Sequence, residues 1–339
     1  MLKILEDLSN TYGVSGMEHE VRQKILKYIR PYVNTAEVDR MGNLICHKKG
    51  KHPPIMLAAH MDEIGLVIKE IDNDGHIYFS LIGGINEETL IGQEVHIITR
   101  KDKFHGIITH EAMHLGLKPT RFPIYQEMYV DTGLTKKELL KRDITVGTYM
   151  VPERKFRTLG SEDIASGKAL DDRIGCTILI ELAKMIKNNR NIDVYFVFTV
   201  QEEMGLYGAK TSIYKIDPVW AASVDVTMAH DFRKNDSGIG HGPAITVKDS
   251  EFIANQCLVD TMIASARKLK IPYQLEVSDV GTTDALTISL SKGGIPAGVV
   301  SVCVRNVHST VGIADMNDIK NAIKLLEDLV KKPPASCIS

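Results

Sequence analysis

The chain has 339 residues, of which 44% are hydrophobic and 25% charged, the balance of an ordinary globular protein with one large domain or two smaller ones. A formal net charge of -2 argues against a nucleic-acid-binding protein, which would carry a basic excess or a basic stripe. No apolar stretch is long enough to span a membrane, and the N-terminal segment is acidic and lacks the apolar core of a signal peptide. We therefore expect a cytoplasmic protein that binds neither membranes nor nucleic acid.

The first predicted elements are two helices and a buried strand. Residues 1–32 show an amphipathic helix, a break around Gly13 and Gly16, and a second helix that starts at about Glu18. Residues 55–59 are an apolar run that follows Pro53 and Pro54. A short apolar run directly after turn-forming residues favours a buried strand.

The segment from 69 to 157 differs in character. Short strand patterns at 77–81, 94–99 and 105–109 are separated by glycines and charged turns, and the one convincing helix pattern lies near 136–141. These features predict a small β-rich domain. Because strand–helix alternation resumes after it, we interpret this segment as an insertion between residues 1–68 and 158–339.

After the insertion, apolar strand patterns alternate with helical patterns. The strand patterns lie at 193–200, 219–226 and 295–304, and the helical patterns lie at 173–186, 258–269 and 318–330. This alternation predicts an α/β fold with a mixed, mostly parallel sheet flanked by helices on both faces.

The five cysteines are scattered along the chain without a CxxC pair. They are Cys46, Cys176, Cys257, Cys303 and Cys337. Cys176 and Cys303 lie in apolar runs, so we expect buried reduced thiols rather than disulfides or metal ligands.

Acidic residues or histidines follow four of the predicted strands. In chain order these are His60 with Asp62 and Glu63, then Glu202 with Glu203, then Asp225, and finally His308. A fifth group, Asp171 and Asp172, directly precedes the helix at 173–186. Because open α/β sheets bind ligands just beyond the carboxyl ends of their strands, we expect these side chains to meet at one edge.

Each group alone has an ordinary explanation. A histidine after a buried strand is more often a core or surface residue than a ligand, a Glu-Glu pair usually starts a solvated helix, and Asp171 and Asp172 suit a helix N-cap. Chance would not place acid and imidazole groups at four strand ends of one chain, so these explanations fail jointly. Two histidines and several carboxylates without cysteine suit Zn²⁺, Co²⁺ or Mn²⁺.

Six short motifs carry a family resemblance. They are Ala59–Gly65, Gly167–Arg173, Val200–Gly205, Ser223–Thr227, Gly281–Ala285 and Arg305–Ser309. Together they resemble the M42 family of aminopeptidases, which includes tetrahedral dodecameric enzymes of archaea and bacteria and the glutamyl aminopeptidases. The resemblance covers about residues 10–330, with the motifs in the family's order.

The resemblance implies a dimetal exopeptidase fold and a ligand role for five residues. Asp171 would bridge two divalent metal ions. His60 and Asp225 would complete one metal site, and Glu203 and His308 would complete the other.

Two further residues receive a role in catalysis from the resemblance. Asp62 would orient the His60 imidazole from behind. Glu202 would act as general base, taking the proton from a metal-held water and passing it to the leaving amine. A base near metal ions should titrate close to the working pH, where base catalysis is most effective.

The resemblance also implies the substrates and the assembly. The enzyme would remove N-terminal residues from short peptides. Residues 1–68 and 158–339 would form the catalytic dimetal peptidase domain, and 69–157 a PDZ-like oligomerisation domain. We expect a closed homo-oligomer, a tetrahedral dodecamer built from dimers.

A second metal-binding motif competes with this interpretation. Residues 110–114 read HEAMH and match the HExxH signature of zinc proteases, whose two histidines must share one helix face. A strand pattern ends at Thr109, and Gly116 and Pro119 leave room for less than two helical turns. A surface loop is therefore favoured.

Other functions remain as alternatives. A glycoside hydrolase could use paired carboxylates such as Glu202 and Glu203, but adjacent residues would struggle to flank a glycosidic bond at roughly 5–9 Å, and His60 and His308 would have no role. A non-catalytic binding or assembly protein would need no base at Glu202, so the complete set of residues argues against that alternative. A deacylase or carboxypeptidase on the same dimetal scaffold is harder to exclude, because only the order and identity of the motifs favour an aminopeptidase.

Overall fold

The computed structural model describes residues 1–110, 121–230, 237–331 and 337. Within these ranges the chain forms an eleven-stranded mixed sheet flanked by helices, and a separate closed barrel of six strands. The helices in these ranges are α1 (Leu2–Ser9), α2 (His19–Ile29), α3 (Lys136–Lys141), α4 (Leu170–Ile186), α5 (Tyr207–Ser212), α6 (Gln256–Leu269), α7 (Asp284–Ser289) and α8 (Met316–Lys331). None of the helices in these ranges combines the length and the apolar character that crossing a membrane requires.

The strands fall into two sets. Those of the large sheet are β1 (Thr35–Val38), β2 (Leu44–Lys48), β3 (Ile55–His60), β10 (Arg157–Leu159), β11 (Ser161–Gly167), β12 (Val194–Thr199), β13 (Ala221–Met228), β14 (Ala244–Lys248), β15 (Gln274–Val277), β16 (Ala297–Arg305) and β17 (Gly312–Asp315). Those of the barrel are β4 (Gly65–Ile71), β5 (Ile77–Ile82), β6 (Glu94–Ile98), β7 (Lys103–His110), β8 (Met128–Asp131) and β9 (Tyr149–Pro152).

The large sheet is parallel at its centre and antiparallel towards its edges. Strands β12, β3, β13 and β16 lie side by side in that order and run parallel. Antiparallel β2 and β1 extend the sheet beyond β12, and antiparallel β17, β11 and β10 extend it beyond β16. The predicted α/β fold with a mixed sheet is confirmed, but the sheet is not mostly parallel. Among the described strands antiparallel pairs prevail, because hairpins such as β1–β2 and β10–β11 build the edges.

Helices cover both faces of this sheet, as its apolar strand patterns predict. In β3, Leu57 and Ala59 pack into the core formed with α1, α2, α4, α6 and α8, whereas Met56 and Ala58 pack into the core beneath α5 and α7. Every residue of β3 is therefore buried. This burial on two faces explains why the strand is a continuous apolar run instead of an alternating pattern.

The barrel occupies the chain between β3 and β10. Its strands neighbour one another in the order β4, β5, β8, β7, β6, β9, and β9 pairs with β4 to close it. Alternate residues such as Leu66 and Ile68 on β4, and Val95 and Ile97 on β6, fill its interior. The barrel strands span 65–152 and so overlap most of the predicted insertion at 69–157.

A disulfide joins Cys257 on α6 to Cys337, whose Cα atoms are 5.4 Å apart. The prediction of reduced thiols is therefore wrong for this pair and is confirmed for the three other cysteines, which are buried: Cys46, Cys176 and Cys303. The partners are separated by 80 residues. Their pairing depends on how the end of the chain packs against α6, which sequence spacing does not reveal.

Candidate metal centre and active site

The parallel strands bring the predicted ligands to one edge of the sheet. β3 ends at His60, β12 ends shortly before Glu202 and Glu203, Asp225 lies within β13, and His308 follows β16. Because these strands are parallel neighbours, their carboxyl ends lie together.

Five of these side chains form two overlapping groups. In the His60 group, the His60 Nε2 atom lies 2.9 Å from Asp171 Oδ1 and 3.8 Å from Asp225 Oδ1. In the His308 group, the His308 Nε2 atom lies 3.5 Å from Asp171 Oδ2 and 3.6 Å from Glu203 Oε2. Within each group the candidate ligand atoms all lie within 4.8 Å of one another. Asp171 thus presents one carboxylate oxygen to each group.

Asp171 owes its position to the irregular start of α4. Asp171 and Asp172 have non-helical backbone angles, so the regular helix begins at Arg173, where the sequence pattern places it. The Arg173 guanidinium is fully buried and donates hydrogen bonds to the carbonyl oxygens of Met61 (2.9 Å) and Thr11 (2.8 Å). These bonds anchor the helix start to the end of β3, which keeps Asp171 beside His60.

Asp62 lies behind His60 and is fully buried. Its Oδ1 atom is 3.5 Å from His60 Nδ1, and its Oδ2 atom accepts a hydrogen bond from the Ser15 hydroxyl at 2.6 Å. The backbone N–H groups of Glu202 and Glu203 also donate to this carboxylate, at 3.1 and 3.3 Å. Burial opposes ionisation of Asp62, but the contacts with His60 and Ser15 outweigh it and lower its pKa. Asp62 therefore ties His60 to the loop that carries both glutamates.

The centre concentrates negative charge in a buried place. Burial, and then repulsion from Asp171, raises the pKa of Glu203 well above its usual value. Burial likewise raises the pKa of Asp225 to about 7, against the opposing effect of His60. Burial alone would lower the pKa of His60, yet the carboxylates of Glu202, Asp171 and Asp62 raise it well above its usual value.

This donor set fits divalent cations. Buried carboxylates that repel one another are stabilised by a positive charge placed among them. The donors are imidazole nitrogens and carboxylate oxygens, which suit borderline divalent ions. Asp171 is the one residue that the two candidate groups share.

Glu202 occupies a different position from its neighbour Glu203. Among the described residues it belongs to neither ligand group. Burial, together with repulsion from Asp225 and Asp284, raises the pKa of Glu202 well above its usual value, although His60 opposes the shift. Glu202 is therefore a buried carboxyl group beside the two candidate ligand groups that is a member of neither.

The sequence analysis assigned no role to three buried acidic residues near these groups, which are Asp284, Asp172 and Glu63. Asp284 accepts a hydrogen bond from the Thr199 hydroxyl (2.6 Å), and burial raises its pKa to about 6. Its motif, Gly281–Ala285, was the available signal. Asp172 is fully buried, and its Oδ2 atom has no hydrogen-bond partner within the described part of the chain. Glu63 forms a buried ion pair with Lys168 Nζ at 2.7 Å.

The barrel also touches the centre, through the loop after β5. A Cβ atom on Gly83 would lie 3.1 Å from Glu203 Oε2, and one on Gly84 would lie 3.1 Å from His308 Nδ1. The Asn86 backbone N–H donates to the His308 carbonyl oxygen at 3.0 Å. Within the described ranges the barrel segment contributes no candidate ligand to either group, but its loop lies against two of the candidate ligands, Glu203 and His308.

Backbone strain accompanies the centre. Several residues other than glycine have φ near +50° to +60° around it, a conformation that L-residues rarely adopt: Ala169, Gln201, Leu206, Asn306 and His308. Such outliers cluster where the surrounding structure holds functional groups in place. The competing HExxH motif at 110–114 lies, apart from His110, outside the described residues.

Comparison with known proteins agrees with this arrangement. A family model described as M42 glutamyl aminopeptidase matches residues 42–325. The chain is 33% identical to the lysyl aminopeptidase of Pyrococcus furiosus over 97% of this chain and 96% of that protein.

Two solved structures are similar over nearly their full lengths. A TET peptidase of Pyrococcus horikoshii, described as able to assemble into a tetrahedron or a large octahedral shell, has a TM-score of 0.89 and 30% identity over 97% of this chain and 98% of that one. A Thermotoga maritima protein described as an endoglucanase has a TM-score of 0.79 and 31% identity over 96% of both chains. Because the family model matches most of the chain, and the Pyrococcus furiosus aminopeptidase is similar from end to end, this protein belongs to the M42 family of aminopeptidases and is a peptide hydrolase.

Proposed function

We propose that the enzyme is a dimetal aminopeptidase that removes N-terminal residues from short peptides. The observation that carries the proposal is the placement of Asp171, which presents one oxygen to His60 and the other to His308. A carboxylate shared in this way suits two-metal hydrolase sites, whose ions lie about 3.5–4 Å apart.

The two ligand groups would each hold one ion. His60 and Asp225 would complete one site, Glu203 and His308 the other, and Asp171 would serve both. The donor types favour Zn²⁺ or Co²⁺, with Mn²⁺ as a further candidate. When bound, such ions supply Lewis-acid polarisation of the scissile carbonyl and lower the pKa of water.

Glu202 would act as the general base. It sits beside the proposed ligands without belonging to either group, and burial raises its pKa well above its usual value. A carboxyl group with a pKa near the working pH exchanges protons most effectively. Glu202 would accept the proton of the attacking water and return it to the leaving amine, while Asp62 keeps His60 in position.

The similar proteins favour a substrate with a free N-terminus. The matching family model and the Pyrococcus furiosus relative are both described as aminopeptidases, which act on peptides with a free α-amino group. An N-acetylated peptide lacks that group and should be a poor substrate. The same similarity disfavours a carboxypeptidase, which must bind the other end of the peptide.

We also propose that the barrel mediates assembly into a closed homo-oligomer, a dodecamer built from dimers. Three exposed apolar side chains lie on the barrel or in the loop before β8: Ile107, Phe122 and Ile124. The Pyrococcus horikoshii relative forms closed shells. The proposal includes a PDZ-like oligomerisation domain at residues 69–157. Residues 1–68 and 158–339 would form the catalytic domain.

A glycoside hydrolase is a second candidate, because a similar structure is described as an endoglucanase. The geometry favours it less. Glu202 and Glu203 are neighbours on one loop that is tied to Asp62, so they are poorly placed to flank a sugar ring. His60 and His308 would also have no task in such a reaction.

One set of assays separates these functions. The chelated protein, and protein reloaded with Zn²⁺, Co²⁺ or Mn²⁺, should be tested on aminoacyl chromogenic amides, their N-acetyl forms, N-blocked peptides with a free carboxyl end, and carboxymethyl cellulose. We expect metal-dependent activity on the free amides alone. Full activity after exhaustive chelation would contradict the dimetal proposal, and activity on cellulose or on N-blocked peptides without activity on amides would favour the rivals.

A further inference from the structure

A second cluster of metal-ligand side chains lies on the barrel, away from the centre built around Asp171. His96 on β6 and His105 on β7 are direct partners across an antiparallel pair. Glu153 follows β9, which pairs with the other edge of β6, and its backbone N–H donates to the Glu94 carbonyl oxygen at 2.8 Å. Three neighbouring strands thus deliver two imidazoles and one carboxylate to one place.

The cluster faces outward from the barrel. Val95 and Ile97, on either side of His96, point into the barrel core, so His96 points to the opposite face. There its ring lies 5.1 Å from the ring of Tyr12, which belongs to the loop between α1 and α2. The cluster therefore lies where the barrel meets the α/β part of the chain.

The distances suit a single ion. The His96 Nε2 atom lies 2.9 Å from Glu153 Oε2, and the His105 Nδ1 atom lies 3.5 Å from the same oxygen. The three candidate ligand atoms all lie within 4.8 Å of one another. Ligands around a tetrahedral zinc ion, each at about 2.0–2.2 Å from it, are roughly 3.3 Å apart. Small side-chain rotations would bring all three onto one cation.

Burial and charge also suit a cation. His96 is buried, Glu153 is partly buried and His105 is exposed, so an ion could enter from the solvent side. Burial lowers the pKa of His96, although Glu153 opposes it, so the imidazole is neutral and able to ligate at neutral pH. The nearby Lys103 ammonium is paired with Glu20 at 3.3 Å.

We propose that His96, His105 and Glu153 form a binding site for one divalent transition-metal ion of the zinc type, separate from the centre at Asp171. Water would complete the coordination on the exposed side. The ion would join the β6–β7 hairpin to the segment through which the chain leaves the barrel after β9. This site does not depend on the proposed peptidase mechanism, because it shares no residue with either ligand group at the strand ends.

Zinc titration of the full-length protein tests this site. His105→Ala is the informative variant, because His105 is exposed and its loss should not disturb folding. His52→Ala is the matched control, because His52 is another exposed histidine, in the loop between β2 and β3. After dialysis against micromolar Zn²⁺, His105→Ala should retain one zinc fewer per chain than the wild type, and His52→Ala should retain the wild-type amount. Peptidase activity should stay unchanged in both variants.

A zinc-soaked crystal of the wild type provides an independent measurement. An anomalous-difference peak about 2 Å from both His96 Nε2 and His105 Nδ1 is expected. Equal zinc content in His105→Ala and the wild type, or no peak between these nitrogens while peaks appear beside Asp171, would overturn the proposal. Absence of metal at Asp171 with zinc at His105 would instead contradict the dimetal mechanism and leave this site standing.

Discussion

Glu202 and Glu203 are adjacent in sequence but are proposed to do different work, so conservative substitution of each tests how the centre is organised. Glu202→Gln keeps the size of the side chain and removes its ability to take a proton. Because Glu202 belongs to neither ligand group, metal content should remain at the wild-type value. Glu203 Oε2 lies 3.6 Å from His308 Nε2, so Glu203→Gln removes the charge of a proposed ligand and should lower the metal content.

The expected size of the Glu202→Gln effect follows from its role. A positioned general base contributes about 10²- to 10⁴-fold to the rate, which corresponds to a barrier increase of roughly 3–5 kcal/mol. The loss should appear in kcat, and kcat/KM should fall with it, because proton transfer belongs to the chemical step. Glu203→Gln should recover part of its activity when excess metal is added, whereas Glu202→Gln should not.

Elemental analysis and steady-state kinetics on the same preparations give the answer. Glu162→Gln, at an exposed glutamate on β11, serves as the control and should match the wild type in both measurements. If Glu202→Gln lost its metals while Glu203→Gln kept them and lost only kcat, the two roles would be reversed. If both variants retained metal and full kcat, neither residue would belong to the active site.

Other outcomes follow from the same contacts. Asp171→Asn should lower metal binding in both ligand groups, whereas His308→Ala should lower it in one group only. If elemental analysis showed the same metal loss in the two variants, that result would count against a bridging role for Asp171. Ser15→Ala removes the hydroxyl that donates a hydrogen bond to Asp62 Oδ2. It should lower the free energy of unfolding, measured by denaturant titration, by roughly 1–3 kcal/mol. An unchanged unfolding midpoint would show that another donor replaces the hydroxyl. Burial raises the pKa of Glu18 from 4.5 to about 7, so its contribution to stability is present below pH 4.5 and is lost as the pH rises towards 7. Glu18→Gln should therefore gain stability relative to the wild type between pH 4.5 and 8, and a difference independent of pH would refute the shift.

Much of the α/β framework is predictable because its elements are long and strongly patterned. The helix at 173–186 corresponds to the regular part of α4, and the apolar runs at 55–59 and 193–200 are β3 and β12. Each of these strands is buried on both faces, which leaves a continuous apolar run in the sequence. The parallel order of these strands then accounts for the approach of His60, Glu203 and Asp225 at one edge.

Other strands leave little trace in the sequence. Strand β10 (Arg157–Leu159) is short and exposed, and β15 (Gln274–Val277) pairs only with β14 among the described strands. Short edge strands bury few side chains, so neither a period of two nor an apolar run marks them. For the same reason the sequence predicts a mostly parallel sheet and underestimates its antiparallel edges.

The missed parts of the centre depend on contacts between distant segments. Asp284 reaches the centre from the start of α7, and its partner Thr199 lies at the end of β12. The motif around Asp284 was visible, but its place could not be known without the packing of α7 on the sheet. The Cys257–Cys337 bond is similar, because it depends on where the end of the chain lies.

The contact between the loop after β5 and His308 has a practical consequence for anyone who trims this protein. Consider a deletion variant in which a short linker replaces residues 65–152. It would lose the Asn86 N–H, which donates a hydrogen bond to the His308 carbonyl oxygen. It would also lose Gly83 and Gly84, which fit closely against Glu203 and His308. Such a truncation would conflate two effects, loss of subunit contacts and loosening of a ligand. A monomeric form is better sought by substituting exposed apolar side chains of the barrel, such as Ile107, with charged ones. That change leaves the loop after β5 and its contacts with His308 intact.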